Sequence, residues 1–390
     1  MRFILPVLAA GVATATPLAI MADSFIKRGV PSTINYSQMT LYGGFELAYN
    51  LTGDEKYASW YRSQIDALVL NDGTIKGWDY GKYSLDNYRM GNNLLYWYWK
   101  TGEAKYKSAA SIVRQQINRH PRTATGGFWH RNPEYPNQMW LDGIFMADSF
   151  YAKWTKYFDE KNTTAWDDIA LQYDNIEAHT RNAKTGLLVH GYDESKVAVW
   201  ADPVTGAAPL VWNRAVGWYF MALLEVIQVW PQSHPARGRL IGYFTTLATA
   251  LKKTQDESGG WWLIMDRKYA GAKGNYIESS GSAMFTYGFL KGIKLGLLDR
   301  DQYLAPAQKG YNLLADKYVV EKDDGTVDWE GTVEVGSLNS NATFEVTLPK
   351  DPDEDENADI LQYYTSVPLA VNDYKGAGPF MYASYEIETL

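Results

Sequence analysis

The stretch Leu51-Thr52-Gly53-Asp54-Glu55-Lys56-Tyr57 is echoed at Lys100-Thr101-Gly102-Glu103-Ala104-Lys105-Tyr106, and this repeat constrains the fold more than any other feature of the chain. Each copy closes an apolar-striped helix, the first over residues 39–50 and the second over 93–100. It then turns at a glycine suited to a helix C-terminus and opens a new helix with an acid in its first turn, where the helix dipole favours negative charge. The unit is an antiparallel helix hairpin. Looser copies follow at Tyr157-Phe158-Asp159-Glu160, Trp230-Pro231-Gln232-Ser233 and Leu298-Asp299-Arg300-Asp301. A hairpin of roughly fifty to seventy residues, repeated five or six times, predicts an all-α fold, either an open solenoid or a closed toroid. No Pro/Gly/Ser linker interrupts the pattern, so residues 16–390 are expected to form one domain. The acidic run Asp351 to Asp359 is expected to be a solvated surface loop.

Composition removes several function classes. With 390 residues, 46% of them hydrophobic, the chain can bury a large core. A net charge of -8 without any Lys/Arg block argues against nucleic acid as a partner. The absence of Cys excludes disulfides, thiolate nucleophiles and thiolate metal sites. No His-Glu-x-x-His string, Gly-x-Gly-x-x-Gly turn or P-loop is present, and Ser195 lies in an Asp-Glu-Ser turn without a nucleophile elbow. No cofactor, metal or protein partner is therefore expected. At the N-terminus, Met1-Arg2 precedes an apolar run from Phe3 to Val12 that is too short to span a bilayer, followed by the small residues Ala13-Thr14-Ala15. Residues 1–15 read as a secretory signal, which implies a secreted protein with no membrane attachment after cleavage. Sequons at Asn35, Asn50, Asn162 and Asn341 are compatible with export in a eukaryote.

The loops at 71–90, 123–138 and 189–212 are long and aromatic, and on a helical scaffold such loops carry function. In the second, Gln138-Met139-Trp140-Leu141-Asp142-Gly143 sets a carboxylate beside large apolar side chains. Desolvation there favours a protonated acid able to exchange its proton near neutral pH. Asp142 is the leading catalytic candidate, against the plainer reading of an N-cap for a helix starting at Gly143. The 29 Tyr and 15 Trp suit the apolar faces and hydroxyls of sugars, and equally a packed core.

Five strings in order resemble glycoside hydrolase family 105, the unsaturated rhamnogalacturonyl hydrolases. They are Gln138 to Gly143, Val189-His190-Gly191-Tyr192-Asp193-Glu194-Ser195, Trp212-Asn213-Arg214-Ala215-Val216-Gly217-Trp218, Glu278-Ser279-Ser280-Gly281-Ser282-Ala283-Met284-Phe285, and Asn372-Asp373-Tyr374-Lys375-Gly376-Ala377-Gly378-Pro379-Phe380. The likeness runs from about Ala22 to Glu388 and implies an (α/α)6 toroid in a secreted, fungal-type member. It also implies hydration of the C4=C5 double bond of an unsaturated galacturonyl residue at the non-reducing end of a rhamnogalacturonan oligosaccharide. Asp142 matches the general acid/base of that family and Asp86 its second aspartate. Tyr36, His130, Arg131, His190, Trp212, Arg214 and Trp218 fall where the family contacts substrate. Of these, Arg214 offers the planar fork suited to the uronate carboxylate. Three other readings are an unsaturated glucuronyl hydrolase acting on ulvan, gellan or glycosaminoglycan fragments, a lyase or inverting glycosidase on the same scaffold, and a noncatalytic carbohydrate-binding protein. The acidic surface favours short oligosaccharides over long polyanions.

Overall fold

The computed structural model describes residues 16–338 and 363–390. The proposed signal at 1–15, the Asn341 sequon and the acidic run from Asp351 to Asp359 lie outside the described residues.

Among the described residues, twelve helices of ten residues or more account for the architecture. Six line the centre: α2 (Tyr36–Thr52), α4 (Met90–Thr101), α6 (Ser149–Phe158), α8 (Asn213–Val229), α10 (Ser279–Lys294) and α12 (Tyr374–Glu388). Around them run α1 (Pro17–Arg28), α3 (Glu55–Asp66), α5 (Ala104–Asn118), α7 (Thr163–Thr180), α9 (Arg237–Thr254) and α11 (Arg300–Tyr318). Each inner helix packs on the next, and α12 packs back on α2, so the ring closes. The solenoid alternative is thereby excluded and the toroid stands. α8 and α10 are apolar around almost their whole circumference, as helices packed on all sides must be.

The repeat that was legible in the sequence is the closed end of these hairpins. Gly53 and Gly102 sit at the C-termini of α2 and α4 with φ of 69° and 73°, and their N–H groups donate to Tyr49 O and Tyr98 O. Only glycine takes this left-handed position at little cost. The helices begin a turn earlier than the apolar stripe suggests. Asn35 caps α2 through its side chain, α4 starts at Met90, and α1 starts at Pro17 under a Thr16 cap.

The other ends of the hairpins are open. From α3, α5, α7, α9 and α11 the chain returns through a long connection to the N-terminus of the next inner helix, so the long loops gather at one end of the toroid. They are tied by two-stranded ribbons: β1 (Tyr83–Ser84) with β2 (Arg131–Asn132), β3 (Gln138–Trp140) with β4 (Gly191–Asp193), β5 (Val319–Glu321) with β6 (Val327–Trp329), and β7 (Thr332–Val333) with β8 (Leu369–Ala370). The connection 255–278 and the described parts of the next one, 319–338 and 363–373, belong to the same end, in addition to the loops expected from the sequence. None of the helices among the described residues is long and apolar enough to cross a membrane.

Candidate active site

Two of the ribbons place the two candidate carboxylates. Ser84 pairs with Arg131, and Leu85 N donates to His130 O at 3.1 Å, which sets Asp86 against both His130 and Arg131. In the second ribbon Trp140 pairs with Gly191, and Leu141 N donates to His190 O at 3.0 Å, which sets Asp142 beside His190. The close approach requires glycine at 191, because a Cβ there would lie 2.6 Å from Met139 O.

Asp142 stands in the single helical turn Leu141–Gly143, whose N-cap is Trp140, and its carboxyl caps nothing. A five-residue π-helix, Ile144–Asp148, follows it, a local distortion often found at functional sites. Asp142 Oδ2 and His190 Nε2 face each other at 3.2 Å, both buried and both without a properly aligned hydrogen bond. On the far side of the imidazole, His190 Nδ1 pairs with the Tyr364 hydroxyl at 2.6 Å. Asp86 likewise caps neither its own turn nor α4. Its Oδ2 accepts both Nε (3.0 Å) and Nη2 of Arg131, while His130 Nε2 lies 3.9 Å from Oδ1.

Burial, reinforced by the Arg131 charge, holds His130 well below the ordinary histidine range, so its ring is neutral. Its Nδ1 has no partner, and its face stacks on Trp140 with centroids 4.2 Å apart. Tyr36, at the first turn of α2, lies within electrostatic reach of Asp86, Asp142, Arg214 and Asp373. Burial first, then the carboxylates, push its hydroxyl above the usual tyrosine value, so it remains a donor at neutral pH.

Three expected substrate contacts take other positions. Arg214 is fully buried, and its guanidinium donates to the carbonyls of Val333 and Glu334 beside β7, with Glu278 at 3.9 Å. Its fork is occupied by the backbone, so it is a fixture of the fold and not a free carboxylate clamp. Trp212 and Trp218 are 2% and 1% exposed. Trp212 packs against His190 and Tyr364, and Trp218 packs between Tyr36 and Phe145, so both back the site and present no open face. The cation left available is Arg131, whose Nη1 has no partner among the described residues. Tyr364 had no signal in the sequence, being one tyrosine of many and far along the chain. Asp373 could have been found: it precedes α12 as an N-cap and also holds Lys375 Nζ at 2.6 Å. No cluster of three or more His, Asp or Glu able to hold a metal occurs among the described residues.

Comparison with known proteins agrees with the fold. A family model described as Glycosyl Hydrolase Family 88 matches residues 21–390. A solved glycoside hydrolase from family 105 of C. acetobutylicum ATCC 824 superposes with a TM-score of 0.87 at 37% identity, over 96% of this chain and 100% of that one. Protein Atu3128 of Agrobacterium fabrum is 33% identical over 224 residues, 56% of this chain and 89% of that protein. The unsaturated rhamnogalacturonyl hydrolase YesR of Bacillus subtilis is 26% identical over 250 residues, 63% of this chain and 66% of its own length. The chain belongs to the glycosyl hydrolase family 88/105 group, the unsaturated glycuronyl hydrolases.

Proposed function

We propose that the substrate is an unsaturated galacturonyl residue at the non-reducing end of a rhamnogalacturonan oligosaccharide, and that Asp142 is the acid and then the base of its hydration. The observation that carries the mechanism is the Asp142 carboxyl, whose buried Oδ2 faces His190 Nε2 at 3.2 Å without an aligned hydrogen bond. Folded proteins rarely leave such a group unsatisfied unless it is needed for chemistry. Protonation of a carbon atom needs an acid that is not already committed to a neighbouring oxygen or nitrogen. Asp142 delivers its proton to C4 of the enol ether, and the cationic character that develops at C5 is met by water. The carboxylate, now charged, takes the proton of that water. The product is a hemiketal at C5, which opens and releases the remaining sugar.

The other residues hold the ring. Arg131, anchored on Asp86, directs its free Nη1 to the uronate carboxylate, a role the sequence had suggested for Arg214. Tyr36 donates its hydroxyl to a ring substituent, and neutral His130, stacked on Trp140, backs the site behind Asp86. The galacturonyl specificity draws support from the likeness to YesR, and two other relatives favour a second reading. These are the unsaturated 3S-rhamnoglycuronyl hydrolases of Alteromonas sp. and Formosa agariphila, 28% and 27% identical over about half of this chain. They keep unsaturated glucuronyl residues as the alternative substrate.

Loss of the ultraviolet absorbance of the conjugated uronate decides the matter. Wild type is expected to consume the unsaturated rhamnogalacturonan disaccharide faster than ulvan-type or glycosaminoglycan-type disaccharides, and Asp142→Asn to lose roughly 10² to 10⁴ in kcat. Faster consumption of the glucuronyl compounds would transfer the specificity to the alternative, and an active Asp142→Asn would remove Asp142 from the mechanism.

A further inference from the structure

A second cavity, of about 290 Å3, opens at the end of the toroid opposite Asp142. Every inner helix contributes to its wall from the middle or C-terminal part of its length: Glu46 from α2, Trp99 from α4, Lys153 from α6, Gln228 from α8, Lys291 from α10 and Tyr382 from α12. It is closed off from the catalytic end. Arg89 spans the axis, bonded to Glu225 through two N–H groups at 2.9 and 3.1 Å and to Ser149 at 2.9 Å, and its guanidinium covers the Phe145 ring at 3.8 Å. Phe145 in turn stacks on Trp218 under Tyr36.

We propose that this cavity is a second carbohydrate site, taking one neutral pyranose ring, with Trp99 as the stacking platform and Glu46 as a partner for its hydroxyls.

The charges select a neutral ligand. Arg89 and Lys153 are both committed to Glu225, and Lys291 is committed to Glu386 at 2.9 Å. An anion finds no free cation. Glu46 alone makes no hydrogen bond or ion pair among the described residues. It faces Lys153, Glu225 and Arg89, and burial raises its carboxyl to about 7, so it can donate a proton to a ligand oxygen or accept one from a hydroxyl. The side-chain amides of Asn92, Asn93 and Gln228 also line the wall. A ligand carrying several hydroxyls, each both donor and acceptor, satisfies such a mixed set, whereas an apolar one does not.

The rings select a sugar face. Trp99 is 44% exposed and lies against Tyr157, itself 52% exposed, with centroids 4.3 Å apart. An exposed tryptophan at the wall of a polar cavity, backed by an exposed tyrosine, is not explained by core packing, and it suits the C–H face of a pyranose. The volume sits at the lower end for small-molecule sites, which admits one ring and not a chain.

Isothermal titration of the Asp142→Asn protein with L-rhamnose, D-galactose and D-galacturonate tests the site without reference to turnover. A neutral sugar is expected to bind with a Kd on the order of 1 mM. Trp99→Ala, whose lost ring lies largely in solvent, is expected to keep its helical circular dichroism and to bind roughly tenfold more weakly. Glu46→Gln is expected to weaken binding above neutral pH less than Trp99→Ala does. No heat with either neutral sugar, affinity unchanged by Trp99→Ala, or preference for galacturonate would each overturn the proposal, the first leaving a cavity filled by water alone.

Discussion

At the level of single residues, the two arginines of the open end show how one side chain type serves opposite purposes. Arg214 is enclosed and bonded to backbone carbonyls, so Arg214→Met would leave Val333 O without its donor and remove the cation facing the buried Glu278 carboxylate. Breaking a buried charge arrangement from one side costs about 3–5 kcal/mol. Thermal unfolding is expected to register that loss. Arg131 is partly exposed and keeps a free Nη1, so Arg131→Gln should fold normally and raise KM for the unsaturated uronide more than it lowers kcat. Steady-state kinetics on both variants check the assignment; a normal KM in Arg131→Gln would return the carboxylate to some other cation. Asn35 gives a further test. Its Oδ1 accepts from Ser37 N at 2.9 Å and Ser37 Oγ at 2.7 Å as the cap of α2, and it lines the rim beside Tyr36, Asp86 and Arg131. A glycan there would break the cap and crowd the site, so peptide mapping of protein made in a eukaryotic host should find Asn35 bare.

At the level of elements, the ring closes because inner helices approach closely where one offers only a hydrogen. In α10, a Cβ at Gly288 would fall 2.1 Å from a ring carbon of Phe220 in α8. Phe220 is fully buried and stacked on Phe244 at 4.7 Å, so it cannot retreat. Gly288→Ala is therefore expected to destabilise the fold by about 1–3 kcal/mol through overpacking, in spite of alanine's better helix propensity, and denaturant titration would show it. The same reasoning explains which turns were legible. Gly53 and Gly102 answer to a local backbone rule, a left-handed residue after a helix, and local rules are written in adjacent letters. The open-end ribbons are not local. Trp140 pairs with Gly191 and Thr332 with Ala370 across long intervals, and two- or three-residue strands leave no alternation to read.

For the whole molecule, the axis of the toroid is an electrostatic column whose stability depends on pH. Burial raises Glu225, but Arg89 and Lys153 overcome this and bring it down to about 2, so its contribution is lost only in strong acid. Glu46 behaves in the opposite sense. Its folded value of about 7 lies above the unfolded 4.5, so the native chain holds a proton that the unfolded chain releases. Its contribution is complete below pH 4.5 and declines as pH rises through 7. His120, lowered to about 4 mainly by burial, instead weakens the fold as pH falls below 6.5. The difference in melting temperature between wild type and Glu46→Gln, followed from about pH 5 to about pH 8, separates the two: the wild-type decline on the alkaline side should flatten in the variant.

The sequence by itself determined the helix hairpins and the end of each at which the chain turns tightly, and its strings of adjacent residues, through a family likeness, pointed to Asp86 and Asp142. These depend on periodicity, on caps and on strings of adjacent residues, all of which act over a few positions. Only the tertiary structure decided that the hairpins close into a ring, that Arg214 and the two tryptophans are enclosed while Arg131 is left free, and that Tyr364 reaches His190 from the far end of the chain. Those outcomes depend on which donors and faces are already taken by distant partners, a property of the folded packing that no single stretch of the chain encodes.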